Sequence, residues 1–457
     1  MMETMQQRAT LDRYLKLFGK FRDEVGTEDP AFIQRMRAKA ISAFEQNGFP
    51  QKKEEDYRYT HLEPIFNGPL HYAFTAGNIN LNEADVFRCD VPMLDSQVQL
   101  VLNGHYYRQG NSDPLLEDNG VVIGSLRAAI KRFPELVERH LGRYAAYEGE
   151  PFVALNSAFS RDGIFVYVPE NRRLEKPIQV INLLLSDQNE MVQHRNLIIL
   201  EKNATAEVIL CDHTLSPQMF LTNSLTEAIV GENADLDILR LQYEHNNSCQ
   251  VTNTWIHQAA MSRCQHGTIT LHGGTIRNNL RIKLAGEGAE TQALGLYTSD
   301  KNQHIDNHTI IDHLVPNCSS RQFYKGVLDD ASKGAFNGMI HVHPDAQHTE
   351  AYQTNNNILL TDLAKMNTRP QLEIYADDVK CSHGATVGQL DEEALFYLRA
   401  RGISANESRL LLMHAFVGEI ISRIKHDALQ ERITELVSKR LRGELARCNN
   451  CDMQCPE

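Results

Sequence analysis

The stretch Glu201-Lys202-Asn203-Ala204-Thr205-Ala206-Glu207-Val208-Ile209 returns as Gly231-Glu232-Asn233-Ala234-Asp235-Leu236-Asp237-Ile238-Leu239. It returns again as Gly286-Glu287-Gly288-Ala289-Glu290-Thr291-Gln292-Ala293-Leu294, and residues 331–336 are a fainter fourth copy. Each copy is a turn, a small residue, then the start of a strand. The spacing is irregular and corresponds to one or two coils of a solenoid. A single coil cannot bury its apolar face alone, so coils stack and share one continuous core. The plainer alternative is a chance likeness among β-turns.

Around this repeat, from Phe152 to about Val387, short apolar or alternating runs are separated by Gly, Asn and Asp turns. Examples are 164–168, 178–185, 197–200, 207–210, 236–241, 282–284 and 339–342, a β-rich pattern nearly free of helix. Upstream, Phe32, Met36, Ile41 and Phe44 recur at helical spacing, and Gly48-Phe49-Pro50 ends that helical region. Residues 125–143 read as one amphipathic helix, with Leu126, Ile130, Phe133, Leu136 and Leu141 as its apolar members. Residues 61–120 carry no clear period. Downstream, Asp391 caps a helix that Gly402 stops, and Ser404-Ala405-Asn406-Glu407 is a capping box opening the next. Leu410, Met413, Val417, Ile420 and Ile424, then Leu429, Ile433 and Leu436, form an apolar stripe. The expected fold is mainly β: a β-helix core at 152–388, between a mainly helical N-terminal domain at 1–151 and a helical domain at 389–447. A Cys-rich tail, 448–457, follows.

A chain of 457 residues is long enough for two or three domains and a large core. Its 42% hydrophobic and 23% charged residues are those of an ordinary globular protein. A formal charge of −13 argues against a nucleic-acid surface. No run reaches the length of a membrane span, and residues 1–30 lack a signal-peptide core, so the expected location is the cytosol. The nine cysteines are then expected to be thiols or ligands, not disulfides. There is no G-x-x-x-x-G-K-[ST], so no P-loop for ATP.

Near the end stands Val379-Lys380-Cys381-Ser382-His383-Gly384-Ala385-Thr386-Val387-Gly388. If it is extended, Cys381 and His383 share a face, about 6–7 Å apart along the strand. A thiolate with an imidazole suits zinc, copper or iron–sulfur chemistry. The two glycines would let the chain turn tightly after the pair. Against this, a Cys on an inward strand face usually packs, and two ligands do not close a site, so others must come from elsewhere, such as another subunit.

The run from Lys380 through Gly388 to Gln389-Leu390-Asp391-Glu392-Glu393-Ala394-Leu395-Phe396-Tyr397-Leu398-Arg399-Ala400-Arg401-Gly402-Ile403 resembles the C-terminal signature of the SufB/SufD family, scaffold subunits of the Suf iron–sulfur cluster assembly machine. Lys52-Lys53-Glu54-Glu55-Asp56-Tyr57-Arg58-Tyr59-Thr60 is similar to that family's N-terminal E-x-W-R/K-Y-T pattern, with Tyr57 where Trp is usual. The extended N-terminal helical region and the moderate length point to the SufD branch. The resemblance implies a right-handed parallel β-helix and a scaffold that is not an enzyme by itself. It implies pairing with SufB through the β-helix ends and docking of the ATPase SufC on residues 389–447, part of the apolar stripe serving that contact. It further implies a transient iron–sulfur cluster or iron at the subunit interface, with His383 matching the family's interfacial histidine and Cys381 its neighbour. A reduced flavin on the complex is a further association of the family, and the sequence leaves a homodimer of the chain alone open.

Other groups compete for a role. His304, His308, His313, His341, His343 and His348 cluster within 45 residues, and His341 and His343 again share a strand face. Such histidines bind metal or simply line a polar outer face. Cys448, Cys451 and Cys455 have ligand-like C-x2-C-x3-C spacing, against the reading of a tail with incidental thiols. Rival functions are the SufB paralogue, with a sulfur-accepting thiol among Cys211, Cys249, Cys264 and Cys318, a carbohydrate-active β-helix enzyme, and metal storage by the tail.

Overall fold

The computed structural model describes residues 2–51, 53–74, 94–108 and 113–444. Cys448, Cys451 and Cys455, with the expected tail, lie outside the described residues. From Ile164 onward successive strands alternate between two sheets. One sheet runs from His105–Tyr107 and Gln97–Leu102 through Ile178–Leu184 to Val379–Gly388. The other runs from Leu115–Asp118 and Val121–Ser125 through Ile164–Val168 to Lys365–Ile374. Pairing along the coils is parallel, with each strand set directly on the one a coil earlier. The result is a parallel β-solenoid of eight coils, each giving one strand to each sheet.

The repeat marks the turn that enters the first of these sheets. Asn203, Asn233 and Gly288 sit there at φ 59°, 56° and 72°, a left-handed conformation that Asn and Gly adopt at least cost. The asparagines also form a ladder. Asn233 Nδ2 donates to Asn203 Oδ1 at 2.7 Å, and Asn203 Nδ2 to Asn171 Oδ1 at 2.7 Å. The small residue that follows is buried in five successive coils: Ala204, Ala234, Ser262, Ala289 and Cys318. Two members escape the sequence comparison because Met261 (φ 55°) holds the turn before Ser262, and Asn317-Cys318 replaces Gly-Ala. The fainter copy at 331–336 belongs to a different column, since it leads into Lys333–Val342 of the opposite sheet.

Helices cover both outer faces. Met2–Glu24, Ala31–Asn47 and Pro151–Phe159 lay Tyr14, Phe21, Phe44, Phe152 and Phe159 near Met191, Leu221 and Val251 of one sheet. Ala405–Ile421 and Asp427–Leu441 lay Met413, Val417, Ile420, Leu429, Ile433 and Val437 on Ile209, Leu239, Leu241, Ile269 and Leu296 of the other. Arg440 clamps this layer with paired bonds to Asp300 at 2.6 and 2.7 Å.

Three details differ from expectation. Residues 125–143 are two helices, Leu126–Arg132 and Pro134–His140, because Pro134 cannot donate to the preceding turn and starts a new helix instead. Strands within 97–125 join the two sheets and helix Pro151–Phe159 follows them, so helix and sheet interleave across the expected 151/152 boundary. The interior is also more polar than a stacked apolar core. Arg240 and Asp212 pair at 2.7 Å inside it, with Asn182 and Gln250 also donating to Asp212.

Candidate functional site

The solenoid ends on Val379–Gly388 in one sheet and Lys365–Ile374 in the other. Among the described residues no strand pairs with the outer edge of either. Each edge therefore presents a ten-residue row of backbone donors and acceptors, a template for pairing with another chain. Leu363, Ile374, Tyr375 and Val387 are exposed around it.

Cys381 stacks on Ala351 and His383 on Gln353. Ala351 and Gln353 are buried in the interior, so by the pleat Cys381 and His383 occupy the inward row of the last coil. No further coil covers them. Cys381 is half-buried beside Leu372, Val379, Ala351 and Ile340. Burial pushes its thiol above the ordinary value, while a backbone hydrogen bond from Ala351 pulls the other way. His383 is exposed. Below it in register lie Gln353 and Gln322. Both amide atoms of Gln353 and the Nε2 of Gln322 are buried without a partner. Gly338 of the facing sheet makes room for that amide, since a Cβ there would lie 2.3 Å from Gln353 Nε2.

The arrangement is an open imidazole at the rim of an unpaired edge, above a column of unsatisfied amides. One exposed imidazole and one inward-turned thiol fit part of an iron or cluster coordination shell and do not complete it. The two glycines do not turn the chain: the strand stays extended through Gly388, and a Cβ on Gly384 or Gly388 would meet nothing. Gln353 went unnoticed in the sequence because its role depends on a register of about 30 residues.

The helical domain is divided differently from expectation. Met413, Val417, Ile420 and Ile424 of the stripe are buried against the solenoid. The exposed apolar groups are Phe396 and Tyr397, on helix Glu392–Ala400, which buries none of its residues, and Leu411 on the next helix. Asp391 caps the helix by accepting from Glu393 and Ala394 amides, and Ser404 caps the next by accepting from Glu407.

The histidine cluster separates. His313 is buried and bonded to Ser320 Oγ at 2.8 Å. His304 meets Thr60 Oγ1 at 2.8 Å, and His308 lies against Arg277 at 3.1 Å. His348 pairs with Asp378 at the surface at 3.0 Å. His341 and His343 come together, with ring centroids 4.1 Å apart. Cys211, Cys249, Cys264 and Cys318 are all buried. Burial pushes the Cys249 thiol up to about 12 and raises those of Cys264 and Cys318 as well. Such thiols are poor nucleophiles, which disfavours a sulfur-accepting role for them.

A family profile described as the SUF system FeS cluster assembly SufBD core domain matches residues 183–416, and one for the SufBD protein N-terminal region matches 8–180. The chain is 30% identical over 425 residues to an iron–sulfur cluster assembly SufBD family protein of Synechocystis, covering 91% of this chain and 92% of the relative. It is 30% identical over 401 residues to the iron–sulfur cluster assembly protein SufD of Escherichia coli, covering 87% and 90%. With the SufD protein of Bacillus subtilis it shares 23% identity over 455 residues, covering 96% and 100%.

Proposed function

Because this chain belongs to the SufB/SufD family of iron–sulfur cluster assembly proteins and is most like SufD, we propose that it is a non-catalytic scaffold that pairs with a second chain of the same fold, SufB, through the open end of its solenoid. The single observation that carries this reading is the bare edge at Val379–Gly388 with His383 exposed on its inward row. Pairing would satisfy the free backbone groups and cover Ile374 and Val387. The iron or nascent cluster is cargo here. His383 would offer one imidazole to it across the interface, and the partner would supply thiolate. Cys381, half-buried and with a raised thiol, would contribute less.

Helix Glu392–Ala400 is the proposed seat of the ATPase SufC. A capped helix that buries none of its own residues yet carries Phe396 and Tyr397 has the make-up of a docking element with aromatic anchors. ATP hydrolysis would belong to that partner, since this chain has no P-loop. No helix among the described residues is long and apolar enough to cross a membrane, in keeping with assembly in the reducing cytosol.

The test is recovery of the tagged chain from its native cytosol under anaerobic conditions, with co-purifying chains identified by mass. A P-loop ATPase together with a paralogous scaffold is the expected result. A chain recovered alone would remove the partners from this reading.

A further inference from the structure

Asp312, His341 and His343 are the one group of three metal-ligating side chains among the described residues whose ligand atoms lie within 4.8 Å of one another. Asp312 and His341 are register partners on adjacent strands, on the outer face of the sheet that ends at Lys365–Ile374. His343 follows the end of the same strand, Lys333–Val342. Asp312 is buried, and both histidines are half-buried, so the carboxylate is held firmly while the imidazoles remain open to solvent.

The surroundings orient the carboxylate. Oδ1 of Asp312 faces His341 Nδ1 at 3.3 Å, and Oδ2 faces Arg281 Nε at 3.4 Å. Arg281 is itself held over the Trp255 ring at 5.1 Å. It therefore acts as an outer partner that leaves one carboxylate oxygen for a ligand. Lys283 precedes Asp312 in the ladder and Glu373 follows His341. One more oxygen donor is thus one strand spacing away, about 4.8 Å.

Two imidazoles and one carboxylate on one side, with the other side open, make the ligand set of a facial triad, suited to divalent iron, cobalt or zinc and poorly suited to magnesium or calcium. We propose that Asp312, His341 and His343 form a binding site for a divalent first-row transition ion, with its remaining positions open to water. Ligand distances of about 2.0–2.2 Å would draw the three atoms inward by rotation of the half-buried imidazoles. The site lies on the other sheet from His383 and does not depend on the scaffold reading.

The experiment uses the full chain with Cys381, Cys448, Cys451 and Cys455 changed to Ser, titrated anaerobically with Co(II), then with Fe(II) in competition. The expected result is one equivalent of Co(II) with ligand-field bands and no thiolate charge-transfer band, displaced by Fe(II) in excess and not by Mg(II). His343→Ala, which lies beyond the strand end, should weaken binding by more than about tenfold with the melting temperature unchanged. Asp312→Asn should weaken it as well, and His383→Ala should leave it intact. Equal Co(II) affinity in the parent and in His343→Ala would overturn the site. So would a thiolate band, or displacement by equimolar Mg(II).

Discussion

The guanidinium carbon of Arg277 lies 4.1 Å from the centroid of the Tyr57 ring. The same Arg277 donates to Asp306 Oδ2 at 2.6 Å and to the Asp56 carbonyl at 2.7 Å. Thr60 also donates its hydroxyl to Asp306. A charged stretch that reads locally as a solvated loop is thus fastened to strands Thr275–Leu284 and His304–His313 by one buried cation. The aromatic ring at position 57 is used for its face, which either Tyr or Trp can present to Arg277.

Tyr57→Ala should therefore cost about 3–5 kcal/mol, the usual range for removing a buried aromatic side chain. Tyr57→Trp should cost much less, because the ring face over Arg277 is kept. Urea denaturation of the three proteins checks this. Equal midpoints for Ala and Trp would show that the ring face is irrelevant.

His383→Ala should lower the iron and acid-labile sulfide carried by the assembled complex while leaving subunit recovery and melting temperature unchanged. The imidazole is exposed and is not part of the packed core. Cys381→Ser should have the smaller effect on cluster content. Unaltered iron and sulfide in the His383 variant would remove that residue from the chemistry.

Phe396→Ser and Tyr397→Ser should each weaken capture of the ATPase by about 30-fold or more, the scale of an interface anchor worth ~2 kcal/mol. Folding should not change, since helix Glu392–Ala400 buries nothing in this chain. By contrast Val417→Ala should lower stability by about 1–3 kcal/mol, because that side chain is buried against the solenoid. Affinity measurements alongside melting curves separate the two kinds of residue.

Acid should unfold the protein over a defined window. Burial lowers His194, His272, His308 and His313 to about 4 and His266 to about 3. Between these values and the ordinary 6.5, the unfolded chain binds more protons than the folded one. Stability is then full above about pH 6.5 and is lost as pH falls toward 4. Asp237 opposes this: burial raises it to about 6, so its own contribution falls as pH rises from about 4 to 6. Glu150 and Glu190, also raised by burial, act in the same sense as Asp237, and the five histidines outweigh these three carboxyls. The melting temperature should fall steeply below pH 6.5, and His266→Leu should flatten that fall, since neither ring nitrogen of His266 has a hydrogen-bond partner to lose.

The amino-acid order by itself determined the coil. Asn203, Asn233 and Gly288 announce the left-handed turn, and Ala204, Ala234 and Ala289 the tight interior corner, because only certain residues tolerate those local conformations and volumes. The caps at Asp391 and Ser404 were legible for the same reason: capping is a matter of three or four consecutive residues. The alternation that places Cys381 and His383 on one row is likewise a local property of a strand.

Tertiary structure alone decided what those rows mean. His383 is exposed and Gln353 buried although they are register partners, because among the described residues no strand stacks on the eighth coil. Phe396 is exposed and Val417 buried although both are apolar residues on helices, because only the later helices lie against the solenoid. Asp312 meets His341 across a separation of 29 residues. Such pairings depend on how many residues each coil spends on its turns, and that count varies from coil to coil. Long-range register and the place where stacking stops are sums over the whole chain, and no short stretch encodes them.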